Sequence, residues 1–187
     1  MAASYVNIAN IALRSLGVAR ITALSDSVES ARVINDIYEH VRDEMLAAHP
    51  WNFAIEYSDT LAENADTPDF DYDYSYALPS DCIRVIELED AEDEFKVVGG
   101  NLFTDTQDPK IKYIKQVTTP ASFSKAFVTA FAARLAMDAC YALTNSRTLA
   151  ADKAEEYKQK LQQAKMADSQ EGTVEKVEKS SWIDDRE

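Results

Sequence analysis

A proline that follows a long amphipathic pattern is the feature that most restricts how this chain folds. Apolar residues recur at steps of three and four from Ile34 to Ala48, which predicts a helix. Pro50 ends that helix because it lacks a backbone N–H and its ring clashes with the preceding turn. Trp51 and Phe53 then place two large aromatic side chains where the chain leaves the helix. We expect this corner to hold a following sheet against a helical body.

The two N-terminal helices have recognisable boundaries. Ser4 is a suitable N-cap for the first helix, and Gly17 is suited to the left-handed conformation that ends it. Asp26 and Glu29 have the spacing of a capping box, which predicts that the second, longer helix begins near Asp26.

Two more helices are predicted towards the C-terminus. Thr119-Pro120 supplies an N-cap and a first-turn proline for the third helix, and a break at Asn145-Ser146 separates it from the fourth. The third helix is the most hydrophobic and should form the core of the body. Its large apolar residues recur at four-residue steps, at Phe123, Phe127, Phe131 and Leu135.

The segment between the second and third helices changes to strand patterns. Residues 55–57 alternate in polarity, residues 83–88 resemble a buried strand, and residues 111–115 form another short strand. Gly99-Gly100 separates two apolar runs and predicts a hairpin, because glycine tolerates the positive φ of a tight turn. We expect one small antiparallel sheet over residues 52–116.

The sequence therefore predicts an α+β fold. It is mainly an α-helical bundle with an inserted small antiparallel β subdomain and an extended C-terminal tail. The helical body comprises residues 1–51 and 117–167, the β-rich subdomain residues 52–116, and the tail residues 168–187.

Charge restricts the possible partners. The chain has 33 acidic and 19 basic residues, a formal net charge of −14, which disfavours tight binding to DNA or RNA phosphates. Cys82 and Cys140 lie in apolar contexts without metal-site spacing, so buried thiols are expected. The sequence has no signal-peptide pattern and no long uninterrupted apolar run, so we expect no membrane span and a cytosolic place of synthesis.

Catalytic and metal motifs are weak. His40 and His49 are not accompanied by a nucleophile elbow, and His49 is better interpreted as capping carbonyls at its helix C-terminus. Gly99-Gly100 lacks the lysine of a phosphate-binding loop. Asp69, Asp71 and Asp73 alternate as in a calcium loop but lack its glycine and its final glutamate. We predict no catalytic, cofactor or metal site.

Two segments are candidates for protein contact. The first is an acidic loop whose aromatic residues either fold back onto the sheet or contact another protein; they are Phe70, Tyr72, Tyr74 and Tyr76. The second is the polar tail, whose composition is typical of a disordered terminus. We interpret its apolar residues as anchors that lie along a partner; they are Val174, Val177, Trp182 and Ile183.

Four pieces of sequence, in this order and spacing, resemble one viral family. They are Asn10-x-Ala12-Leu13-x-x-Leu16-Gly17, the helix exit from Asp43 to Ala54, Leu78-Pro79-x-Asp81-Cys82-x-Arg84, and the alanine-rich third helix. Over roughly residues 5–167 the chain resembles the head-to-tail adaptor family, also called tail tubular protein A, of short-tailed bacteriophages.

The resemblance implies a structural virion protein rather than an enzyme. Members of this family form a dodecameric ring between the portal and the tail nozzle, and DNA passes through its centre. Their C-terminal segments commonly dock on the portal, which implies that role for the four tail anchors. The aromatic loop would then contact the nozzle or a neighbouring subunit. Part of the acid surplus is expected to face the channel, where it would repel DNA phosphates.

Two other functions stay open at this stage. Some tail components of short-tailed phages degrade the cell wall, and a peptidoglycan hydrolase would use a carboxylate pair such as Glu56 and Asp59. A small acidic regulatory module that binds a basic partner would instead show salt-sensitive binding and form no ring.

Overall fold

The computed structural model describes residues 3–65, 71–90 and 92–171, and it confirms the predicted α+β class. The four helices, numbered in chain order, are α1 (Tyr5–Ser15), α2 (Glu29–Ala47), α3 (Lys125–Thr144) and α4 (Arg147–Gln170). The seven strands are β1 (Ile55–Ser58), β2 (Ala62–Glu63), β3 (Tyr74–Ala77), β4 (Cys82–Leu88), β5 (Phe95–Val98), β6 (Asn101–Thr104) and β7 (Ile111–Lys115).

Two helix starts differ from the sequence prediction. Helix α2 begins at Glu29 because the Asp26 carboxylate accepts hydrogen bonds from the backbone N–H groups of Thr22 and Ala23. These bonds hold the preceding loop and lower the pKa of Asp26, with the Thr22 bond as the largest cause. Helix α3 begins at Lys125, because Thr119-Pro120 instead opens a separate 3₁₀ turn.

Two helix ends are also informative. Asn145 adopts the left-handed conformation at φ 53° and ends α3, which agrees with the predicted break. Helix α4 continues to Gln170, so the predicted start of the tail at residue 168 is wrong.

Helix α3 is the centre of the helical body. It packs against α1, α2 and α4, and Phe127, Phe131 and Leu135 are fully buried in this core. Within the described ranges it is also the one helix that is long and apolar enough to cross a membrane, by length and composition alone. A buried central helix passes the same test, so the absence of a membrane span stays a prediction.

The inserted segment forms two antiparallel sheets, so the prediction of a single sheet is wrong. Sheet A has the strand order β1-β7-β4, and sheet B has the order β2-β3-β6-β5. Gly99 and Gly100, at φ 60° and 81°, form the tight turn between β5 and β6, as predicted. The next strand, β7, leaves that hairpin and pairs with β1 and β4 instead.

Sheet A separates two hydrophobic cores. On β7, Ile114 packs into the helical core, whereas Ile111 and Tyr113 pack into a second core with Leu102 of sheet B. Adjacent strand residues face opposite sides of a sheet, so one short strand serves both cores. The corner after α2 leads into β1, so it joins the helical body to sheet A, which lies between the two cores.

Two buried tyrosines give a stability prediction. Burial is the main cause that raises the pKa of Tyr38, and its hydroxyl is a buried group without a hydrogen-bond partner among the described residues. Tyr38→Phe should therefore change the free energy of unfolding by no more than about 1 kcal/mol, with stabilisation expected. The hydroxyl of Tyr76 accepts from the Asp108 N–H at 3.0 Å, so Tyr76→Phe should cost about 1 kcal/mol. Urea denaturation measures the free energy of unfolding of both variants. A larger loss of stability for Tyr38→Phe than for Tyr76→Phe would contradict the prediction.

Candidate partner-contact site

The corner between α2 and β1 is built around Trp51. Its side chain is fully buried, and its indole Nε1–H donates to the Met45 carbonyl at 2.8 Å. The indole ring lies 4.7 Å from the His49 ring and 5.1 Å from the Phe127 ring of α3, measured between centroids. The aromatic residues therefore fasten the point where the sheet begins to the central helix, as the sequence indicated.

Asp168, in the last turn of α4, binds to the same corner. The Asn52 backbone N–H donates to both carboxylate oxygens, at 3.1 and 3.3 Å, and the Asn52 side-chain amide donates to the Asp168 carbonyl at 2.6 Å. His49 Nε2 lies 3.2 Å from the carboxylate, whose side chain is only 3% exposed. The interpretation of His49 as a cap for helix carbonyls is therefore wrong, and Lys165 donates to the Ala48 carbonyl instead.

Sequence reasoning missed Asp168 because it was assigned to the tail. A signal was present, since Asp168 continues the apolar stripe of α4 formed by Tyr157, Leu161 and Ala164 at steps of four and three. A charged residue in that stripe indicates a buried polar contact. In the structure this contact fixes the end of α4 beside the corner.

The four predicted tail anchors, Val174, Val177, Trp182 and Ile183, lie outside the described residues. Within the described residues, Asp168 holds the last turn of α4 beside the helix–sheet corner. Their role on a portal stays a prediction.

The structure describes three of the four aromatic residues in the predicted contact loop. Tyr76 is 1% exposed in the second core and cannot contact a partner, which corrects its assignment. Tyr74 is half-buried against the same core, with its ring 6.3 Å from that of Tyr76. These two tyrosines fold back onto sheet B because β3 runs through them. Tyr72 is half-buried and stays a candidate, and Phe70 lies outside the described residues.

The carboxylates considered for hydrolysis lie in different surroundings. Glu56 on β1 is bound to Lys115 on β7 at 3.2 Å, and this contact is the largest cause that raises the pKa of Lys115. Asp59 lines an open cavity of about 470 Å³ together with Tyr57 and Lys110. Within residues 3–65, 71–90 and 92–171, no three His, Cys, Asp or Glu side chains are grouped to hold a metal ion.

A scan against models of known protein families gives no match, and a search of curated proteins finds no significantly similar sequence.

Proposed function

We propose that this chain is a head-to-tail adaptor of a short-tailed bacteriophage. In this role it is a structural, non-enzymatic virion protein that forms a dodecameric ring between the portal and the tail nozzle. The ring encloses the channel through which DNA passes, and it is assembled in the host cytoplasm.

The observation that carries the proposal is the way the resembling pieces pack together. Leu13 and Leu16 from the first piece and Trp51 from the helix exit share one core with the alanines of α3. Of the third piece, Leu78 and Cys82 pack against the second core, whereas Ile83, a position that the motif leaves open, packs against the helical core. Three of the four similar pieces, far apart in sequence, therefore share one core. That sharing supports a common fold rather than chance likeness of short motifs.

The net charge of −14 also supports this role. A channel that passes DNA without holding it benefits from repulsion of the phosphates. Part of the acid surplus would face the lumen, and a basic lumen in the assembled ring would count against the proposal.

Native mass spectrometry tests the proposal most directly. The full chain is measured alone and after mixing with the purified portal ring of the same virus. Twelve copies for each portal ring are expected. A chain that does not bind the portal would overturn the adaptor function.

Removal of residues 172–187 gives a second, narrower test. The truncated chain should keep the thermal unfolding midpoint of the full chain, because the contacts of Asp168 with the corner are retained. Its affinity for the portal should fall at least about tenfold, since the four apolar anchors are lost. Isothermal titration against portal rings measures the change. Unchanged affinity would show that the tail does not dock there.

A further inference from the structure

Two arginines on one surface of this acidic protein lack an acidic partner. Residues 3–25 contain Arg14 and Arg20 but no Asp or Glu. Both side chains are exposed, and neither forms a hydrogen bond or an ion pair with the described residues. Together with Asn7 and Ile11 they line a cavity of about 230 Å³. We call this surface the arginine face.

The arginine face is held in place by a buried amide. The Asn10 side chain accepts from the Ile21 N–H and donates to the Ile21 carbonyl, both at 2.9 Å. These two bonds fix the loop after α1 against the helix, so Arg20 is kept near Arg14. A backbone that is already fixed loses less conformational entropy when the arginines on it bind an anionic partner.

A pocket of opposite charge lies between α1 and α2. It has a volume of about 340 Å³, and its walls include Tyr5, Asp36, Tyr38 and Glu39. Both carboxylates are exposed and form no ion pair within the described ranges. The nearby Arg42 guanidinium interacts electrostatically with Glu39, but its ion pair is with Asp43. Tyr5 is 41% exposed, and Tyr38 carries the unpartnered buried hydroxyl. We call this the acidic pocket. Carboxylates beside aromatic rings suit an arginine side chain.

The two surfaces lie on opposite sides of α1. Tyr5 and Arg14 are nine residues apart on this helix, which at 3.6 residues per turn is a rotation of about 180°. The arginines therefore cannot reach the pocket of their own protomer. Complementary surfaces on opposite sides of one subunit produce a head-to-tail contact that repeats from copy to copy.

We propose that the arginine face of one protomer docks on the acidic pocket of the next copy of this chain. This inference rests on the proposed ring and names the contact between neighbouring subunits. Guanidinium–carboxylate pairs are strong and directional, so they fix the orientation of each subunit. A second copy fits better than DNA, because the net charge of −14 repels phosphates whereas the chain itself supplies the carboxylates.

Charge exchange between the two surfaces tests the contact. The arginine-face variant carries Arg14→Glu and Arg20→Glu, and the pocket variant carries Asp36→Arg and Glu39→Arg. Each should weaken self-association of the full chain at least about a hundredfold, since like charges then meet. The chain that combines all four substitutions should recover association. Sedimentation velocity over a concentration series measures this.

A matched control separates this contact from a general charge effect. Lys125→Glu with Arg147→Glu makes the same change in net charge as the arginine-face variant, at two exposed positions without an ion pair in the described part of the chain. This control should associate like the wild type. Circular dichroism confirms that every variant is folded.

Several outcomes would overturn the inference. One is a four-fold substituted chain that stays dissociated, and another is a wild-type chain that is monomeric both alone and on the portal. An arginine-face variant that self-associates normally but loses affinity for a short DNA duplex would assign the arginines to DNA. If single-face variants still load twelve copies on the portal, the contact is wrong and the adaptor function stands. If the charge exchange restores self-association but the chain does not bind the portal, the subunit contact stands and the adaptor function is wrong.

Discussion

Trp51→Ala is expected to lower the free energy of unfolding by about 3–5 kcal/mol. The indole is fully buried at the corner and contacts the rings of His49, Phe53 and Phe127. Its removal leaves a cavity between the helical body and the start of β1, and it also leaves the Met45 carbonyl without its donor. Small domains are stable by only about 5–15 kcal/mol, so this is a large fraction of the total.

Urea denaturation followed by far-ultraviolet circular dichroism measures this effect, because the fluorescence of Trp51 is lost with the residue. Tyr57→Ala is the matched control, since Tyr57 lies on β1 soon after the corner and is 66% exposed. It should change stability by less than about 0.5 kcal/mol. Equal effects of the two substitutions would mean that the corner does not hold the layers together.

Asp168→Ala should cost about 2–3 kcal/mol. The substitution removes the acceptor of the Asn52 N–H and the partner of His49, in a site where water cannot replace them. The Asn52 backbone amide should also lose protection against hydrogen exchange, because α4 is then free to separate from the corner.

Asp152→Ala on the same helix is the control, since Asp152 is exposed and has no ion pair among the described residues. Asp168→Asn should fall between the two, because the amide keeps one oxygen that accepts from Asn52 but replaces the second carboxylate oxygen, which lies near His49, with an NH₂ group. If Asp168→Ala behaved like Asp152→Ala, the contact would contribute nothing to stability.

The features that sequence predicted correctly are specified locally. Pro50 ends α2, Gly99-Gly100 turns the hairpin, and the four-residue spacing of Phe127, Phe131 and Leu135 marks the central helix. Each depends on backbone restrictions or on periodicity within one segment. Such signals need no knowledge of distant partners.

The features that sequence missed depend on distant or competing contacts. Strand β7 joins β1 and β4 rather than β6, which no local pattern reveals, and so two sheets form instead of one. Asp26 has capping-box spacing but binds backwards to Thr22 and Ala23. Asp168 finds its partners 116 residues earlier in the chain, at Asn52. The burial of Tyr76 likewise follows from sheet pairing that the alternating aromatic pattern left open.

The division of the helical body into two distant stretches of sequence has a consequence for synthesis on the ribosome. Helices α1 and α2 pack mainly against α3, which is translated only after the whole β insertion. At about 5–20 residues per second, this interval lasts on the order of ten seconds. During that time the apolar sides of both helices lack their main native partner, whereas the hairpin of β5 and β6 can form as soon as β6 has been translated. The nascent chain should therefore need chaperone protection most in the interval before α3 emerges.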